Sequence, residues 1–426
     1  MRTLLALLLM TVFSSAAEPD WPQFRGPNRD SVWKETGLLQ NFPAEGLRIR
    51  WRAPIGAGHS SPVVAGGRVY VTDAKLEQPK VWERIQCFDE RNGKALWAYS
   101  DEVDYGKDAF DQQRHESPPG PCPTPVVEAG RVFTVGATGH LLCLDARKGR
   151  MIWKRILAED FGTLPSPEFT SCPLIEGGLL IVVAGGKSGA GVVAFDQRSG
   201  KEVWRALDDP PRAFSSPIVI SAGGKRQLIV WTTKAVTSLN PATGQTWWRE
   251  ELVTPEWEAV ATPVFQDDLL LVSGLMFRLD QNQPAASVLW PEAKALSRRI
   301  LSNMCMPLIL GGHVFAGKKT GHLVCLDART GEPVWETDKA TGLVHGATIH
   351  LTANGDSVLL FTDQGNLIRA RLDGAGYHEL SRVHLIEPDY HFGSHQIVWA
   401  PLAFADRQVF ARNCHELICG SLAAKP

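Results

Sequence analysis

The sequence predicts an all-β fold: an eight-bladed β-propeller with four-stranded blades, closed by an N-terminal strand that completes the last blade. Three observations predict it: a turn phrase that recurs five times, a strand-head motif that recurs eight times, and two chain ends that complement each other. The chain has 426 residues, 44% hydrophobic, with 39 Gly and 28 Pro. Such a composition can bury a large core and indicates many turns and few long helices.

The turn phrase is clearest as CLDARTGEPVW, residues 325–335. The carboxylate of Asp327 can accept hydrogen bonds from the backbone two residues on and start a turn. Gly331 can adopt the positive φ needed at the exit, and Trp335 lies on the strand that follows. In every copy an Asp or Asn precedes a Trp by eight residues, and the other copies span 87–97, 143–153, 194–204 and 238–248. Each copy predicts a β-hairpin.

The strand-head motif is a small polar residue followed by Pro and an apolar run. It occurs at 59–71, 123–135, 171–182, 215–220, 261–272, 304–316 and 399–411, and at 346–361 with Ile349 in place of Pro. The tryptophans that mark the units are Trp51, Trp97, Trp153, Trp204, Trp248, Trp290 and Trp335. Their spacing gives repeats of about 40–50 residues, which is typical of four-stranded propeller blades.

The two ends of the repeat region complement each other. The last unit, 398–421, supplies three strands and no Trp strand, whereas the Trp strand at 47–56 precedes every unit. Pairing of the two would close the ring and remove two exposed sheet edges. We therefore expect a propeller over 47–426, preceded by a lead segment at 18–46.

Residues 1–17 have the pattern of a secretory signal. Arg2 is followed by the apolar run Leu4–Phe13 and by small residues that predict cleavage after Ala17. The run is too short for a membrane span, and the absence of a cysteine after it argues against a lipid anchor. The sequence thus predicts a periplasmic or secreted protein. Its formal net charge of −2 indicates no general affinity for nucleic acid.

Eight cysteines in an exported protein could indicate disulfides. Cys87, Cys143, Cys325 and Cys419 instead share one repeat column, on the strand before the turn, where a small buried hydrophobic residue fits. We expect mostly free, buried thiols. The pair with plausible disulfide geometry is Cys122 and Cys172, at the heads of successive repeats.

The turn phrase resembles the repeat of the pyrroloquinoline-quinone (PQQ) dehydrogenases and of the propeller lipoprotein that assists outer-membrane protein assembly. The resemblance covers roughly residues 47–421. It implies that each Trp packs between blades against the neighbouring turn. Trp97, Trp153, Trp204, Trp248 and Trp335 match this role, whereas Trp51 and Trp290 lack the standard turn.

The opening DWPQFRGPNRDS, residues 20–31, resembles the start of exported propellers from planctomycete-type bacteria. Further parts of the same resemblance are 256–265, 274–280 and 411–423. We expect Trp21, Phe24 and Trp33 to pin the lead segment onto the side of the propeller, with a turn at Gly26-Pro27-Asn28. A recognition arm is the alternative.

A dehydrogenase of the PQQ type is implied to hold its quinone between a Trp and a disulfide of adjacent cysteines, beside a calcium ion and a catalytic Asp. The sequence contains no Cys-Cys pair, and the family's calcium ligands and base have no match in context. No catalytic, cofactor or metal residue is therefore carried over. PQQ with calcium remains the alternative cofactor prediction.

Two polar stretches are weaker candidates. Residues 384–395 contain His384, Glu387, Asp389, His391 and His395, which could hold a metal, although a loop between blades seven and eight explains them equally well. Residues 101–116 concentrate acids around His115 and are more readily explained as a solvated loop. Their acids lack the spacing of a cation-binding loop.

The strand heads should ring the mouth of the axial channel, where propellers commonly bind ligands. The candidate channel-mouth residues are His59, Cys122, Thr170, Phe214, Val260 and Met304. They are mostly apolar, and a channel filled by side chains is the simpler interpretation.

The sequence favours a monomeric binding or scaffolding module of the cell envelope with a protein partner, rather than an oxidoreductase. The alternatives are a PQQ-dependent dehydrogenase with an atypical pocket and a carbohydrate-binding or carbohydrate-active propeller. The carbohydrate alternative rests on the aromatic side chains of the lead segment.

Overall fold

The structure is a computed structural model that describes residues 20–106, 120–163, 169–209, 214–254, 259–294, 300–302, 304–342, 348–392 and 394–424. Within these residues the chain forms eight four-stranded antiparallel sheets, one two-stranded hairpin and one short helix. The predicted all-β, eight-bladed propeller with four-stranded blades is confirmed.

The strands follow the chain in order, beginning with β1 at Ile49–Pro54. Blade 1 holds β2 (Val63–Val64), β3 (Arg68–Glu77), β4 (Lys80–Asp89) and β5 (Ala95–Val103). Blade 2 holds β6 (Val126–Glu128), β7 (Arg131–Val135), β8 (His140–Asp145) and β9 (Met151–Ile156), followed by α1 (Leu157–Phe161). Blade 3 holds β10 (Leu174–Glu176), β11 (Leu179–Val183), β12 (Val192–Asp196) and β13 (Glu202–Ala206). Blade 4 holds β14 (Ile218–Ala222), β15 (Lys225–Trp231), β16 (Ala235–Leu239) and β17 (Thr246–Glu251).

The remaining blades repeat this arrangement. Blade 5 holds β18 (Val264–Gln266), β19 (Leu269–Val272), β20 (Leu275–Leu279) and β21 (Ala286–Trp290). Blade 6 holds β22 (Leu308–Leu310), β23 (His313–Gly317), β24 (Leu323–Asp327) and β25 (Pro333–Thr337). Blade 7 holds β26 (Ile349–Asn354), β27 (Ser357–Thr362), β28 (Asn366–Asp373) and β29 (Gly376–His384), and the hairpin β30 (Tyr390–Phe392) and β31 (His395–Ile397) follows it. Blade 8 combines β32 (Ala403–Ala405), β33 (Gln408–Arg412) and β34 (Glu416–Ser421) with β1.

The predicted closing strand is confirmed. β1 pairs antiparallel with β34, so that Trp51 lies opposite Cys419 and Arg52 opposite Ile418. The backbone N–H of Ser421 also donates to the carbonyl oxygen of Arg48 at 2.9 Å. The last blade therefore joins both ends of the repeat region: β1 takes the outer, fourth-strand position, and β34 is not left as an unpaired edge.

The first strand of each blade lies nearest the axis. Contacts between neighbouring blades join β2 to β32, β6 to β10, β18 to β22, and β22 to β26. The second and third strands are buried almost without interruption, as in β23 and β24, because neighbouring blades cover both of their faces. Along the fourth strands, side chains that face solvent alternate with side chains that are partly covered. In β5, for example, exposed and half-buried residues follow one another.

Tryptophans on the fourth strands join successive blades. Trp290 Nε1 donates to the carbonyl oxygen of Ala328 in the next blade at 3.0 Å. Comparable bonds of 2.7–3.2 Å to the following blade are made by Trp51, Trp97, Trp153, Trp204 and Trp335.

Trp248 departs from the role that the resemblance implied. Its Nε1 donates at 2.9 Å to Gln227 Oε1, which belongs to its own blade. Its ring still packs on Phe277 of blade 5, with centroids 5.8 Å apart. The turn of blade 5, Asp280 to Ala285, has no glycine on which an indole could lie.

All eight cysteines are free thiols, and Cys122 alone is half-buried rather than buried. The repeat column places Cys87, Cys143, Cys325 and Cys419 on inner strands, each directly opposite a tryptophan of the neighbouring strand. Their role there is to fill the core. None of the described helices has the length and apolar character required to cross a bilayer.

Candidate functional site

The strand heads of neighbouring blades bind one another around the axis. The N–H of His59 donates to the carbonyl oxygen of Pro121 at 3.0 Å, and the N–H of Thr124 lies 3.2 Å from Cys172 Sγ. The N–H of Cys172 then donates to Ser216 Oγ at 3.0 Å. In the last two contacts the acceptor is the side chain of the residue that directly precedes the Pro of the motif, Cys172 or Ser216.

The same linkage continues into later blades. The N–H of Phe214 donates to the carbonyl oxygen of Ala259 at 2.9 Å, and the N–H of Ile349 lies 3.3 Å from Cys305 Sγ. The structure places all six sequence-predicted channel-mouth residues in these heads, and each is half-buried: His59, Cys122, Thr170, Phe214, Val260 and Met304. We call the end of the axis at these strand heads the channel mouth; that the six residues line it stays a prediction.

Beside His59, three further aromatic residues complete an aromatic cluster at the channel mouth. The ring of His59 meets Tyr390 edge-on at 4.5 Å between centroids and Trp399 at 5.4 Å. Trp399 also packs on Tyr390 and Phe392, each at 5.1 Å. Phe392, on the hairpin, is 36% exposed. The aromatic cluster of His59, Tyr390, Phe392 and Trp399 therefore presents an apolar surface to solvent.

Sequence reasoning missed three members of this cluster. Trp399 occupies the strand-head position of the eighth blade, so extending the column that contains His59 would have found it. Tyr390 and Phe392 lie in the hairpin between blades 7 and 8, which belongs to no repeat. No pattern in the chain indicates that this hairpin reaches the axis.

Polar contacts hold the aromatic cluster in place. Asp389 accepts hydrogen bonds from the N–H of Cys414 at 2.9 and 3.0 Å and lies 2.6 Å from His415 Nδ1. The guanidinium of Arg412 is fully buried and donates to carbonyl oxygens, among them that of Thr72 at 2.7 Å. Burial, and then the charge of Arg412, lower the pKa of His59 to about 3, so its ring is neutral at physiological pH.

The lead segment closes the opposite end of the axis. Trp21 forms a β-bridge with Val64 at the end of β2, and the N–H of Trp33 donates to the carbonyl oxygen of Ala353 at 2.8 Å near the end of β26. Both contacts lie on first strands, at the end opposite the strand heads. The expectation that Trp21 and Trp33 pin the lead segment to the side of the propeller is therefore wrong.

Side chains of the lead segment run into the channel itself. Arg29 Nη1 donates at 3.1 Å to the carbonyl oxygen of Pro217, and Nη2 donates to that of Pro173. Arg25 Nη1 donates at 3.3 Å to the carbonyl oxygen of Pro263. These prolines directly precede β14, β10 and β18, so two arginines span the interior of three blades. The channel is filled by a segment outside the repeats.

The polar stretch at 384–395 does not converge. His384 pairs with Glu387 at 3.0 Å, whereas Asp389 is used by blade 8 and His391 lies 3.3 Å from Gln396. Across the described part of the chain, no group of three or more His, Cys, Asp or Glu side chains is arranged to hold a metal. In the acidic stretch, Asp101 binds His140 and Lys154, while 107–119, with His115, lies outside the described residues.

The residues of the channel mouth do not fit a planar quinone held beside calcium. His59, Tyr390 and Trp399 pack against each other, and the crevice that they line has no room for a water molecule. Both oxygens of the nearby Asp389 carboxylate already accept from the backbone N–H of Cys414. Cys122 and Cys172 are free and lie on different blades.

Comparison with known proteins gives one family match. The chain matches the family model described as outer membrane protein assembly factor BamB over residues 32–107, 82–337 and 280–384. The matched ranges include most of the blades. They also include the end of the lead segment.

Two curated relatives share part of the chain. It is 24% identical over 217 residues to a quinohemoprotein alcohol dehydrogenase of Comamonas testosteroni. The aligned region covers 47% of this chain and 28% of that protein. It is 26% identical over 224 residues to the outer membrane protein assembly factor BamB of Burkholderia pseudomallei (strain K96243), which covers 50% of this chain and 54% of that protein. The matches thus span between about a quarter and a half of these relatives.

Among solved structures, the crystal structure of the quinohemoprotein alcohol dehydrogenase from Comamonas testosteroni is similar, with a TM-score of 0.67 and 14% identity. The match covers 97% of this chain and 82% of that one. At this identity the likeness concerns the fold alone.

Proposed function

The chain belongs to the family described as outer membrane protein assembly factor BamB, and from this premise we propose that it is an exported propeller that binds a protein partner in the cell envelope. The relative from Burkholderia pseudomallei carries the same name. The name of that relative supports two parts of the proposal, namely the location in the cell envelope and the protein partner. We extend it to a periplasmic or secreted, monomeric protein.

The observation that carries the proposal is the aromatic cluster. Tyr390 and Phe392 are held outside the blades on a short hairpin, and Phe392 is exposed while its ring packs on Trp399. Aromatic side chains that are already ordered lose little conformational entropy on binding, and they dominate the energy of protein interfaces. A partner would bury the exposed face of this cluster.

The filled channel favours the same function. Arg25 and Arg29 tie the lead segment to the first strands of three blades, so the interior of the propeller serves to keep the blades in place. A rigid scaffold that carries a surface cluster is well suited to hold a partner. The chemistry of recognition then lies at the channel mouth and the adjacent hairpin.

The direct test is recovery of a partner from envelope extract of the source organism by the purified chain. We expect the wild-type chain to retain a defined envelope protein that Phe392→Ala loses. Met151→Ala is the matched control, because Met151 is 50% exposed on the outer strand of blade 2, far from the channel mouth. Equal recovery by wild type and Phe392→Ala would place the interface elsewhere.

A PQQ-dependent dehydrogenase is the second candidate, and the relative named quinohemoprotein alcohol dehydrogenase is the observation that favours it. Titration with PQQ and Ca²⁺, followed by cofactor absorbance and by dye reduction with alcohols or sugars, separates the two. Saturable binding with turnover would replace the scaffold proposal. The carbohydrate alternative loses its basis, because Trp21, Phe24 and Trp33 are buried.

A further inference from the structure

Two arginines of the lead segment are buried in the axis without a salt bridge. Arg25 and Arg29 are each 4% exposed, and neither forms an ion pair with any residue that the structure describes. Asp30 acts on Arg25 from a distance, while its own Oδ1 accepts from the N–H of Val32. Buried cations are normally matched by an anion, because desolvation of an unpaired charge is costly.

The two guanidinium groups differ in how well they are hydrogen-bonded. Arg29 donates from Nε to Gln23 and from both Nη atoms to carbonyl oxygens. Arg25 donates from Nε to Ser31 Oγ at 2.8 Å and from Nη1 to Pro263, but its Nη2 is buried and has no partner among the residues that the structure describes. The guanidinium of Arg25 therefore keeps one buried N–H group that donates to none of the described residues.

Arg25 lines a small cavity. It is bounded by the lead segment and by blades 7 and 8, and its volume of about 20 Å³ is enough for roughly one water-sized particle. Three of the lining residues each carry a buried polar atom that has no hydrogen-bond partner within the described part of the chain: Trp21 Nε1, Arg25 Nη2 and His350 Nδ1. Such clustering indicates a particle held between them.

The chemistry of the three atoms defines that particle. Arg Nη2 and Trp Nε1 are donors only. His350 Nε2 lies 3.0 Å from the carbonyl oxygen of Trp399, so Nε2 carries the ring proton and the neutral Nδ1 is an acceptor. Burial lowers the pKa of His350 to about 4, with a smaller contribution from the charge of Arg25, the charged side chain that acts on this ring. His350 becomes a third donor when it gains a proton.

We propose that this cavity binds one monovalent anion of halide size, held by Arg25 Nη2 and Trp21 Nε1, and that binding favours protonation of His350 at Nδ1. The anion offsets the guanidinium charge, which a water molecule in the same position would leave uncompensated. Trp21 and Arg25 come from the lead segment and His350 from blade 7, so the anion would fasten the lead segment to the ring.

The proposal predicts halide-specific stability. An anion that binds only the folded chain raises its stability with concentration. Because binding takes up a proton, the effect is larger at low pH. We expect a higher unfolding temperature in sodium chloride or bromide than in sodium gluconate of equal ionic strength, with a larger difference at pH 5 than at pH 8. Equal unfolding temperatures in halide and gluconate at both pH values would overturn it.

A pair of matched variants separates the site from general effects. Trp21→Phe removes one donor, and we expect it to reduce the halide-specific difference. Trp231→Phe is the control, because Trp231 is 1% exposed and lies on β15 away from the cavity, and its buried Nε1 likewise has no partner among the described residues. It should retain the whole halide effect. Equal losses in both variants would contradict the assignment.

Bromide soaking gives a readout that does not depend on stability. We expect an anomalous peak within hydrogen-bond distance of Arg25 Nη2 in crystals of the wild-type chain. Density at this position without anomalous signal in bromide would identify a water molecule and overturn the proposal.

Discussion

Gly331 lies directly against the indole of Trp290, so close that a Cβ atom at position 331 would approach Trp290 Cδ2 to 2.6 Å. The glycine belongs to the turn of blade 6 and the tryptophan to the last strand of blade 5. Gly331 also has a φ of +74°, a backbone conformation that residues with a Cβ atom rarely adopt, so both the contact and the backbone require glycine here. The same contact joins Trp51 to Gly93, Trp97 to Gly149, Trp153 to Gly200 and Trp204 to Gly244. The turn phrase thus encodes the interface between blades as well as the turn.

Gly331→Ala should therefore destabilise the fold by more than backbone strain alone. Gly311→Ala is the matched control in the same blade, since Gly311 also has positive φ, +57°, but no atom lies within 4 Å of its Cβ position. Strain alone costs about 1–3 kcal/mol, and overlap with an indole adds about 1–3 kcal/mol more. Urea unfolding midpoints measure the difference. Equal midpoint shifts would show that the indole yields without cost.

Trp153→Ala should cost about 3 kcal/mol, because it removes a large ring between blades 2 and 3. Trp153→Phe keeps much of the ring contact with Gly200 but loses the hydrogen bond from Nε1 to Gln197 at 3.2 Å, which is worth about 1 kcal/mol. Unfolding of the three proteins in denaturant gives the order wild type, Phe, Ala. An unchanged midpoint for the Ala variant would exclude a role for this ring between blades.

Arg29→Met should loosen the lead segment. It leaves the carbonyl oxygens of Pro173 and Pro217 buried without that donor, at about 1–3 kcal/mol each. We expect a lower unfolding temperature and faster protease cleavage within the lead segment. Arg48→Met is the control, because Arg48 is an exposed arginine directly before β1. It should change neither the unfolding temperature nor the cleavage rate. Identical cleavage rates for wild type and Arg29→Met would contradict the anchoring role of Arg29.

Glu90 should make stability fall as pH rises. Burial raises the pKa of Glu90 to about 7, with further contributions from Asp406 and Asp20. Because the folded value exceeds that of the unfolded chain, about 4.3, the folded state binds the proton more tightly, and stability decreases between roughly pH 4 and pH 7. Glu90→Gln mimics the protonated form. We expect it to match wild type at pH 4 and to exceed it by about 1–3 kcal/mol at pH 8.

Thermal unfolding across this pH range measures the effect. Glu102→Gln, at an exposed position whose carboxylate pairs with Lys80, serves as the control for loss of one negative charge. A constant difference between wild type and Glu90→Gln from pH 4 to pH 8 would show that Glu90 titrates normally.

The blades were predictable because their signals are local and repeated. The Asp327 carboxylate accepts from the N–H groups of Arg329 and Thr330, as the turn chemistry predicts. The closing strand was predictable because β1 carries Trp51 and no unit precedes it. Repetition also allows a departure to be noticed: the turn of blade 5 lacks the glycine, and Trp248 correspondingly binds within its own blade.

The filling of the channel could not be predicted in the same way. Arg25 and Arg29 lie in a segment without periodicity, and their partners are carbonyl oxygens more than 140 positions away, as with Arg29 and Pro173 at a separation of 144. A backbone carbonyl leaves no trace in the residue type. The aromatic cluster was missed for a related reason, because Tyr390 and Phe392 reach the axis from an insertion between repeats.

The central claim is that the aromatic cluster at the channel mouth contacts a protein partner, and site-specific photo-crosslinking tests it most directly. A photoreactive residue in place of Phe392 should give one discrete adduct with an envelope protein in the source organism. The same photoreactive residue in place of Met151, which is 50% exposed on the outer strand of blade 2, should give none. Adducts from position 151 with none from position 392 would contradict the claim.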